Sequence, residues 1–321
     1  MDALSEALAS VHITGAVFYD AVCTKPWAFA VPPLSTYARL LAPATERLVS
    51  YHLITEGAGI ARFGDGVELA IEEGDVVVVP HGDAHVMSDG PLGRVLDKGV
   101  SLDRFLAGGV SVFKIGGGGA PTRFVCGYFG CERDADRLFL SGLPRVFKIN
   151  LRSDDTGRWL EHSIRHLVSE SEASRPGRSL MLAKMAETLF IEALRRYMAQ
   201  LPPGQTGWLA GARDSIVGSA IAAMHRQPGA GWSLDSLAAT TGASRSVLIE
   251  RFARFLGQPP LAYLAMWRLQ LASRRLLASR DTVMQIALDV GYQSEAAFIR
   301  AFKREFGSSP GAYRRSKTPV R

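Results

Sequence analysis

Thr282-Val-Met-Gln-Ile-Ala-Leu-Asp-Val-Gly-Tyr-Gln-Ser-Glu-Ala-Ala-Phe-Ile-Arg-Ala-Phe-Lys-Arg-Glu-Phe-Gly307 decides the fold of the last third of this 321-residue chain. Ile286, Ala287 and Val290 recur at helical spacing and give a short helix one apolar face. Gly291 supplies a turn. Ser294 follows as an N-cap, its hydroxyl placed to accept from N–H groups that a helix start leaves unpaired. Phe298, Phe302 and Phe306 then repeat every fourth residue, which predicts an amphipathic second helix with an aromatic core face. Gly307 stops it. Short helix, turn and second helix in this order make a helix-turn-helix, the unit that lays its second helix in the major groove of DNA.

The pattern occurs twice. Trp232-Ser-Leu-Asp-Ser-Leu-Ala-Ala-Thr-Thr-Gly-Ala-Ser-Arg-Ser-Val-Leu-Ile-Glu-Arg-Phe-Ala-Arg-Phe-Leu-Gly257 is the first copy. Ser233 caps its first helix, and Leu234, Leu237 and Ala238 face inward. Small Ala238 and Gly242 let two helices cross closely. Ser244 caps the second helix, with Leu248, Phe252 and Phe255 as its core stripe. Arg245, Ser246, Ile249 and Glu250 are left facing outward near the end that enters the groove. Arg245 suits guanine or a phosphate; Glu250 suits cytosine N4, or an ion pair with Arg254 one turn on. In the second copy Glu295, Ala296, Ile299 and Arg300 are the candidate base readers, and the capping Ser294, like Ser244, is counted in the DNA-binding surface. Lys303 and Arg304 are expected at phosphates, which position a protein without specifying sequence.

Pro259-Pro260 opens a long helix that runs to Ala278, spanning roughly 30 Å. One DNA turn is about 34 Å, so the spacing sets two reading helices on one side of a duplex. Arg268, Arg274 and Arg275 on this helix are phosphate candidates or ion-paired surface residues. Gly307-Ser-Ser-Pro310 ends the second motif, and a short last helix follows through Tyr313-Arg-Arg. Trp232 through Arg315 resembles the AraC/XylS-type DNA-binding domain. The resemblance is carried by the Gly291-Tyr turn, the Ser294 cap, Phe298-x3-Phe302-Lys303 and Gly307-x2-Pro310-x2-Tyr313-Arg314. It implies a transcription regulator with an N-terminal sensing or dimerisation domain and double-stranded promoter DNA as its partner.

Charge agrees with that placement. The chain carries net +6, but residues 201–321 hold 16 Lys+Arg against 7 Asp+Glu, while residues 1–200 hold 21 against 24. A basic excess confined to the helix-turn-helix half is the footprint of a polyanion binder. No apolar run of about 18 residues spans a membrane, and MDALSEALAS lacks the basic and apolar regions of a secretory signal. Three cysteines are too few for a secreted disulfide scaffold. The expected location is the cytoplasm.

Residues 14–131 read as short strands. Val17-Phe-Tyr, Leu48-Val-Ser-Tyr-His-Leu-Ile, Val67-Glu-Leu-Ala-Ile and Val76-Val-Val-Val are β-rich and separated by Gly, Pro or Asp. Gly116-Gly-Gly-Gly119 has no Lys-Ser/Thr after it and is a loop rather than a phosphate cradle. Gly74-Asp-Val-Val-Val-Val-Pro80-His-Gly82-Asp-Ala-His85 resembles the second cupin motif, Gly-x5-Pro-x-Gly-x2-His. It implies a β-barrel with His85 where cupins place a metal ligand. The first cupin motif is missing its histidines: Ser50 stands at its Glu position. His52, His81 and His85 are candidates for an imidazole cluster suited to zinc or another transition metal, or simply hydrogen-bonded residues. Cys126-Gly-Tyr-Phe-Gly-Cys131 lies near Arg123 and Arg133, and positive charge favours thiolates, so Cys126 and Cys131 are redox candidates. Cys23 is a possible disulfide partner for Cys126 if the strands bring them within about 7 Å.

Two helical stretches follow. Trp159, Ile164, Leu167 and Val168 give one apolar face; Leu180, Met181, Met185, Leu189, Phe190 and Leu194 give another. The expected architecture is two-domain α+β: a cupin-like β-barrel with flanking helices over 1–200, a linker over 201–212, and an all-α double helix-turn-helix domain over 213–321. No cofactor is expected. The function is a DNA-binding regulator that responds at the barrel to a small molecule or to cysteine oxidation, with a homodimer through the 156–200 helices and RNA polymerase as further partners. The competing function is a metal-dependent cupin enzyme or metal sensor fused to a DNA-binding domain.

Overall fold

Val76-Val-Val-Val79 is buried along its whole length because both its faces are covered. A computed structural model describes residues 2–8, 13–36, 47–90, 112–131, 140–169 and 176–317. In it β6 (Asp75–Val79) runs between β10 (Phe147–Asn150) and β3 (Arg47–Glu56), and the sheet continues through β9 (Pro121–Cys131), β1 (Ile13–Thr24) and β8 (Val112–Gly116). The β1–β8 pair is parallel and the other pairs of this sheet are antiparallel. A second sheet orders β2 (Ala28–Val31), β7 (His85–Ser88), β4 (Ala58–Phe63) and β5 (Glu68–Glu72). Gly74, at φ +84°, makes the reversal into β6, and Gly82, at φ +63°, makes the one that follows it.

Between the sheets lies one apolar core. Val77, Val79, Ile54 and Phe124 from the first sheet meet Phe29, Ala61, Phe63, Ile71 and Met87 from the second, with Trp27 among them. Trp27 and Phe29 both meet Phe124 edge-on, at 5.4 and 6.0 Å between ring centres. The other face of the large sheet is covered by α2 (Asp155–Ser169) and α3 (Arg178–Gln200), where Phe190 packs on Phe129 at 4.8 Å and Tyr197 on Phe147 at 4.7 Å. Arg152 locks this layer, reaching Glu161 at 2.7 Å and Glu73 at 2.5 Å. Glu161 is 2% exposed, and the paired guanidinium compensates its buried charge.

The helical faces differ from expectation at three residues. Ile164, Leu167 and Val168 are buried, but Trp159 is 59% exposed. Five residues separate it from Ile164, which places it about 140° around the helix. Leu180 and Met181, at the start of α3, are also exposed, whereas Leu189, Phe190 and Leu194 are buried.

The second unit is all helix: α4 (Trp208–Arg213), α5 (Ser215–Arg226), α6 (Leu234–Thr241), α7 (Arg245–Leu256), α8 (Pro260–Ala278), α9 (Val283–Asp289), α10 (Glu295–Phe306) and α11 (Pro310–Lys317). Its division from the barrel unit falls at Leu201, but it also contains the N-terminal segment Met1–Ser10, which the sequence reading assigns to the barrel. The reason is packing. Helix α1 (Ala3–Leu8) buries Ala3, Leu4 and Ala7, and Glu6 meets Arg226 of α5 at 3.1 Å. The expected linker is also shorter than 201–212, because Trp208, Leu209 and Ala210 are buried. Trp208 Nε1 donates to the Tyr263 hydroxyl at 2.9 Å, and that hydroxyl lies 2.9 Å from His225 Nε2. His225 stacks on Trp267 at 3.7 Å, and burial pushes its imidazole down to about 3.

Around the second motif, Phe298, Phe302, Ile286, Ala287, Val290, Leu276 and Tyr313 form one core. Phe302 is fully buried and touches Phe298, Phe306 and Tyr313. Phe302→Ala is expected to destabilise this unit by roughly 3–5 kcal/mol. Hydrogen exchange of the full chain should show lost protection in α9–α11 with the barrel strands unchanged; unaltered α9–α11 protection would contradict the assignment.

Candidate functional site

A helix start leaves four N–H groups without partners, and both motifs solve this with a serine. The Ser244 hydroxyl accepts from the Val247 N–H, and the Ser294 hydroxyl from the Ala297 N–H, each at 3.3 Å. Gly257 and Gly307 close the two helices in the left-handed conformation, at φ +68° and +74°. Leu248 and Phe252 in α7, and Phe298 and Phe302 in α10, are fully buried. The remaining face of each helix is open to solvent.

On α7 that face carries Arg245, Ser246, Ile249 and Glu250, all exposed. Arg245 forms an ion pair with Asp235 of α6, a partner that the sequence did not suggest. Both side chains are more than 60% exposed, so water screens the pair and Asp235 yields readily to a phosphate or a base. Arg254 lies over the Phe255 ring, 5.4 Å from its centre. On α10 the open face carries Ala296, Arg300, Lys303 and Arg304, with Glu295 half-buried. Ile299 departs from expectation: it is half-buried and packs against the core of the second motif, because it lies next to the aromatic stripe. Counted from the capping serine, the first position is Arg245 in one copy and Glu295 in the other. The sixth is Glu250 and then Arg300. The two open faces therefore carry inverted charges at matched positions.

Two arginines of α8 are not free to reach phosphates. Arg268 points into the unit, where its guanidinium donates to the carbonyls of Pro228, Ala230 and Gly291. Arg275 bridges Asp281 at 2.9 Å and Asp289 at 2.7 Å. Arg274 is half-buried. Arg251, on α7, ties that helix to Asp214, the N-cap of α5, a brace that the sequence reading missed.

In the barrel the three candidate histidines do not gather; they are hydrogen-bonded residues. His81 turns to the Leu143 carbonyl at 3.1 Å. His52 and His85, from opposite sheets, bring their Nε2 atoms to 2.8 Å, and Cys126, the register partner of His52, sits 3.0 Å from His52 Nδ1. The protons follow from the ends of this chain. The Asp83 carbonyl can only accept, so His85 Nδ1 donates to it at 2.8 Å. Neutral His85 then accepts at Nε2, His52 donates from Nε2 and accepts at Nδ1, and Cys126 donates its thiol proton. Each imidazole lone pair in this arrangement is taken up by a neighbouring proton, and none points at a common centre. Among the described residues no three His, Cys, Asp or Glu side chains gather as a metal site. Burial holds both imidazoles neutral: His85 is lowered to about 4 and His52 well below its ordinary value, with His85 nearby adding to the effect.

The cysteine expectations also change. Cys23 pairs with Thr122 across β1 and β9, whereas Cys126 pairs with Tyr19. Four residues of strand separate them by about 13 Å, too far for a disulfide. Cys126 and Cys131 are five residues apart on one strand, about 16 Å, and are excluded for the same reason. Burial pushes the Cys23 thiol up to about 12, the reverse of a reactive thiolate. Arg123 pairs with Glu56 at 2.9 Å. Arg133 and the Cys131 side chain lie outside the described residues.

Known proteins resemble this chain over both of its parts. Residues 2–199 match the cupin family, and residues 237–316 match the helix-turn-helix domain family. The HTH-type transcriptional regulator AlkR of Acinetobacter baylyi is 30% identical, over 98% of this chain and 99% of its own. MtrA of Neisseria gonorrhoeae, another HTH-type transcriptional regulator, is 30% identical over 82% and 85% of the two chains. The solved DNA-binding domain of AdpA, in complex with a target DNA, is 31% identical and covers 32% of this chain and 92% of that one, with a TM-score of 0.31.

The neutral pair gives the barrel a signed pH dependence. An unfolded His85 takes up its proton near 6.5 and the folded one near 4, so stability is complete above 6.5 and falls between those values. For His85 alone the loss from pH 7.5 to pH 5 is roughly 2 kcal/mol. Exchange protection of β3, β7 and β9, corrected for intrinsic rates, should drop accordingly; equal protection at both pH values would sink the neutral-pair assignment.

Proposed function

The chain belongs to the AraC-like transcriptional regulators that carry an N-terminal cupin domain, and from that membership we propose which residues read DNA and how a signal reaches them. It is a DNA-binding regulator, not an enzyme. The observation that carries the assignment is the matched pair of open helix faces, each capped by serine and held by a buried stripe. Helix α7 enters one major-groove segment with Arg245, Ser246, Ile249 and Glu250; α10 enters the next with Glu295, Ala296 and Arg300. Ile299, half-buried, contributes at most its outer edge to a thymine methyl. Lys303 and Arg304 meet phosphates. Ser244 and Ser294 shape the two entry ends rather than read bases, since their hydroxyls already cap the helices. Helix α8, 19 residues and roughly 28 Å long, matches the rise of most of one duplex turn.

The barrel is the receiving part. The register of β1 and β9 and the raised Cys23 thiol speak against an internal disulfide as the signal, which favours a small organic effector. Effector binding favours one arrangement of the chain over another and so alters promoter occupancy. A second copy of the chain docks through the layer of α2 and α3, where Trp159, Leu180 and Met181 stand exposed. RNA polymerase is the further partner at the promoter.

DNase footprinting of the full chain on a duplex it selects from a randomised pool tests the reading. Two protected major-groove segments about one turn apart are expected. Arg300→Ala should weaken binding about 10- to 100-fold and relax sequence preference in one segment, whereas Lys303→Ala should weaken binding to all duplexes alike and flatten the salt dependence. Equal loss from Arg300→Ala on selected and unrelated duplexes would remove the base-reading role.

A further inference from the structure

Two glycines, one just ahead of the first motif and one within the second, meet inside the helical unit. Gly229 lies in the turn between α5 and the first motif, and Gly291 is the turn of the second. A Cβ on Gly229 would stand 2.6 Å from the Asp289 carbonyl oxygen. On Gly291, at φ +93°, it would stand 2.7 Å from Arg268 Nη2 and 3.0 Å from the Gly229 carbonyl oxygen. Backbone therefore touches backbone where the two motifs join. Arg268 reaches into this joint from the middle of α8. Its Nε donates to Pro228 O at 2.7 Å, Nη2 to Ala230 O at 2.7 Å and Nη1 to Gly291 O at 3.3 Å. A planar guanidinium presents its donors from three separate nitrogens in a fixed fork, whereas the three N–H groups of a lysine ammonium all radiate from one atom.

We infer that Arg268 is the positioning residue that sets the distance and phase between the two reading helices, and with it the base-pair spacing of the operator. Helix α6 begins at Leu234, shortly after the carbonyls that Arg268 holds on one side; α10 begins at Glu295, shortly after the carbonyl held on the other. Residues 279–282, between α8 and α9, are the one direct chain connection from the rod to the second motif. Leu269, Ala272 and Leu276 seat the second motif on the rod. The three-carbonyl brace adds a direct tie between the turn of the second motif and the residues that lead into the first. The inference rests on α7 and α10 being the reading helices.

The test uses the full chain and the duplex it selects from a randomised pool, together with versions carrying one base pair added or removed midway between the two protected segments. One base pair shifts the second site by about 3.4 Å and 35°. Wild-type protein should lose about 100-fold in affinity on either altered duplex. Arg268→Lys, which keeps the charge, should lose about 10-fold on the original duplex yet bind all three within about 3-fold of one another. Its salt dependence should equal that of wild type, because no phosphate contact is lost. Arg268→Met is measured alongside, and Gly291→Ala opens the same joint if either arginine variant fails to fold. A variant that retains the wild-type spacing preference overturns the inference, as does one whose salt slope falls by about one unit, the mark of a lost phosphate contact. If wild type itself ignores spacing, the assignment of α7 and α10 has failed instead.

Discussion

A helix of twelve residues is barely stable alone in water, and both α7 and α10 are that length. Everything about the two motifs answers this constraint. A serine accepts from one of the unpaired N–H groups, a left-handed glycine ends the last turn, and an apolar stripe buries one side. What remains for recognition is the narrow strip between the cap and the stripe. The positions open to DNA are thus set by burial before any question of base preference arises. Because the cap and stripe have the same spacing in both copies, the open positions match as well, and chemistry is free to differ there. It does: a cation in one copy stands where an anion stands in the other.

The barrel faces a harsher version of the same constraint. His52 in the middle of β3 and His85 at the start of β7 are both buried between the sheets, away from water. His52 and His85 persist because each proton has one acceptor, from the Cys126 thiol through both rings to the Asp83 carbonyl. The same ordering uses the lone pairs that a metal would need. His85, at its cupin-like position, thereby joins His52 and Cys126 in a linear hydrogen-bonded chain inside an aromatic core.

Much of this was legible in the sequence, and the divide between what was and was not is physical. Local patterns reported faithfully: Ser244, Ser294, Gly307 and the Phe298-Phe302 stripe act within one or two turns of chain, and the turns at Gly74 and Gly82 follow from glycine's access to positive φ. Pairings across the fold were hidden. Nothing in the spacing of His52, His81 and His85 says that His81 turns to Leu143, and strand register alone separates Cys23 from Cys126. Arg268 read as a surface cation because its periodicity on α8 does not reveal three carbonyls converging from elsewhere. Trp159 and Ile299 sat one step off the true apolar face, the usual error of counting in turns of 3.6.

The placement of α1 has a consequence for dissecting the chain. The helical unit takes in Met1–Ser10 together with Leu201–Arg321, so the two ends of the sequence fold as one body. A fragment starting at Leu201 holds both motifs but has shed Ala3, Leu4 and Ala7 and with them the cover over part of α5. Proteolysis at the Pro202-Pro203-Gly204 stretch leaves α1 on one product and the α5 it packs against on the other, joined by non-covalent contact alone.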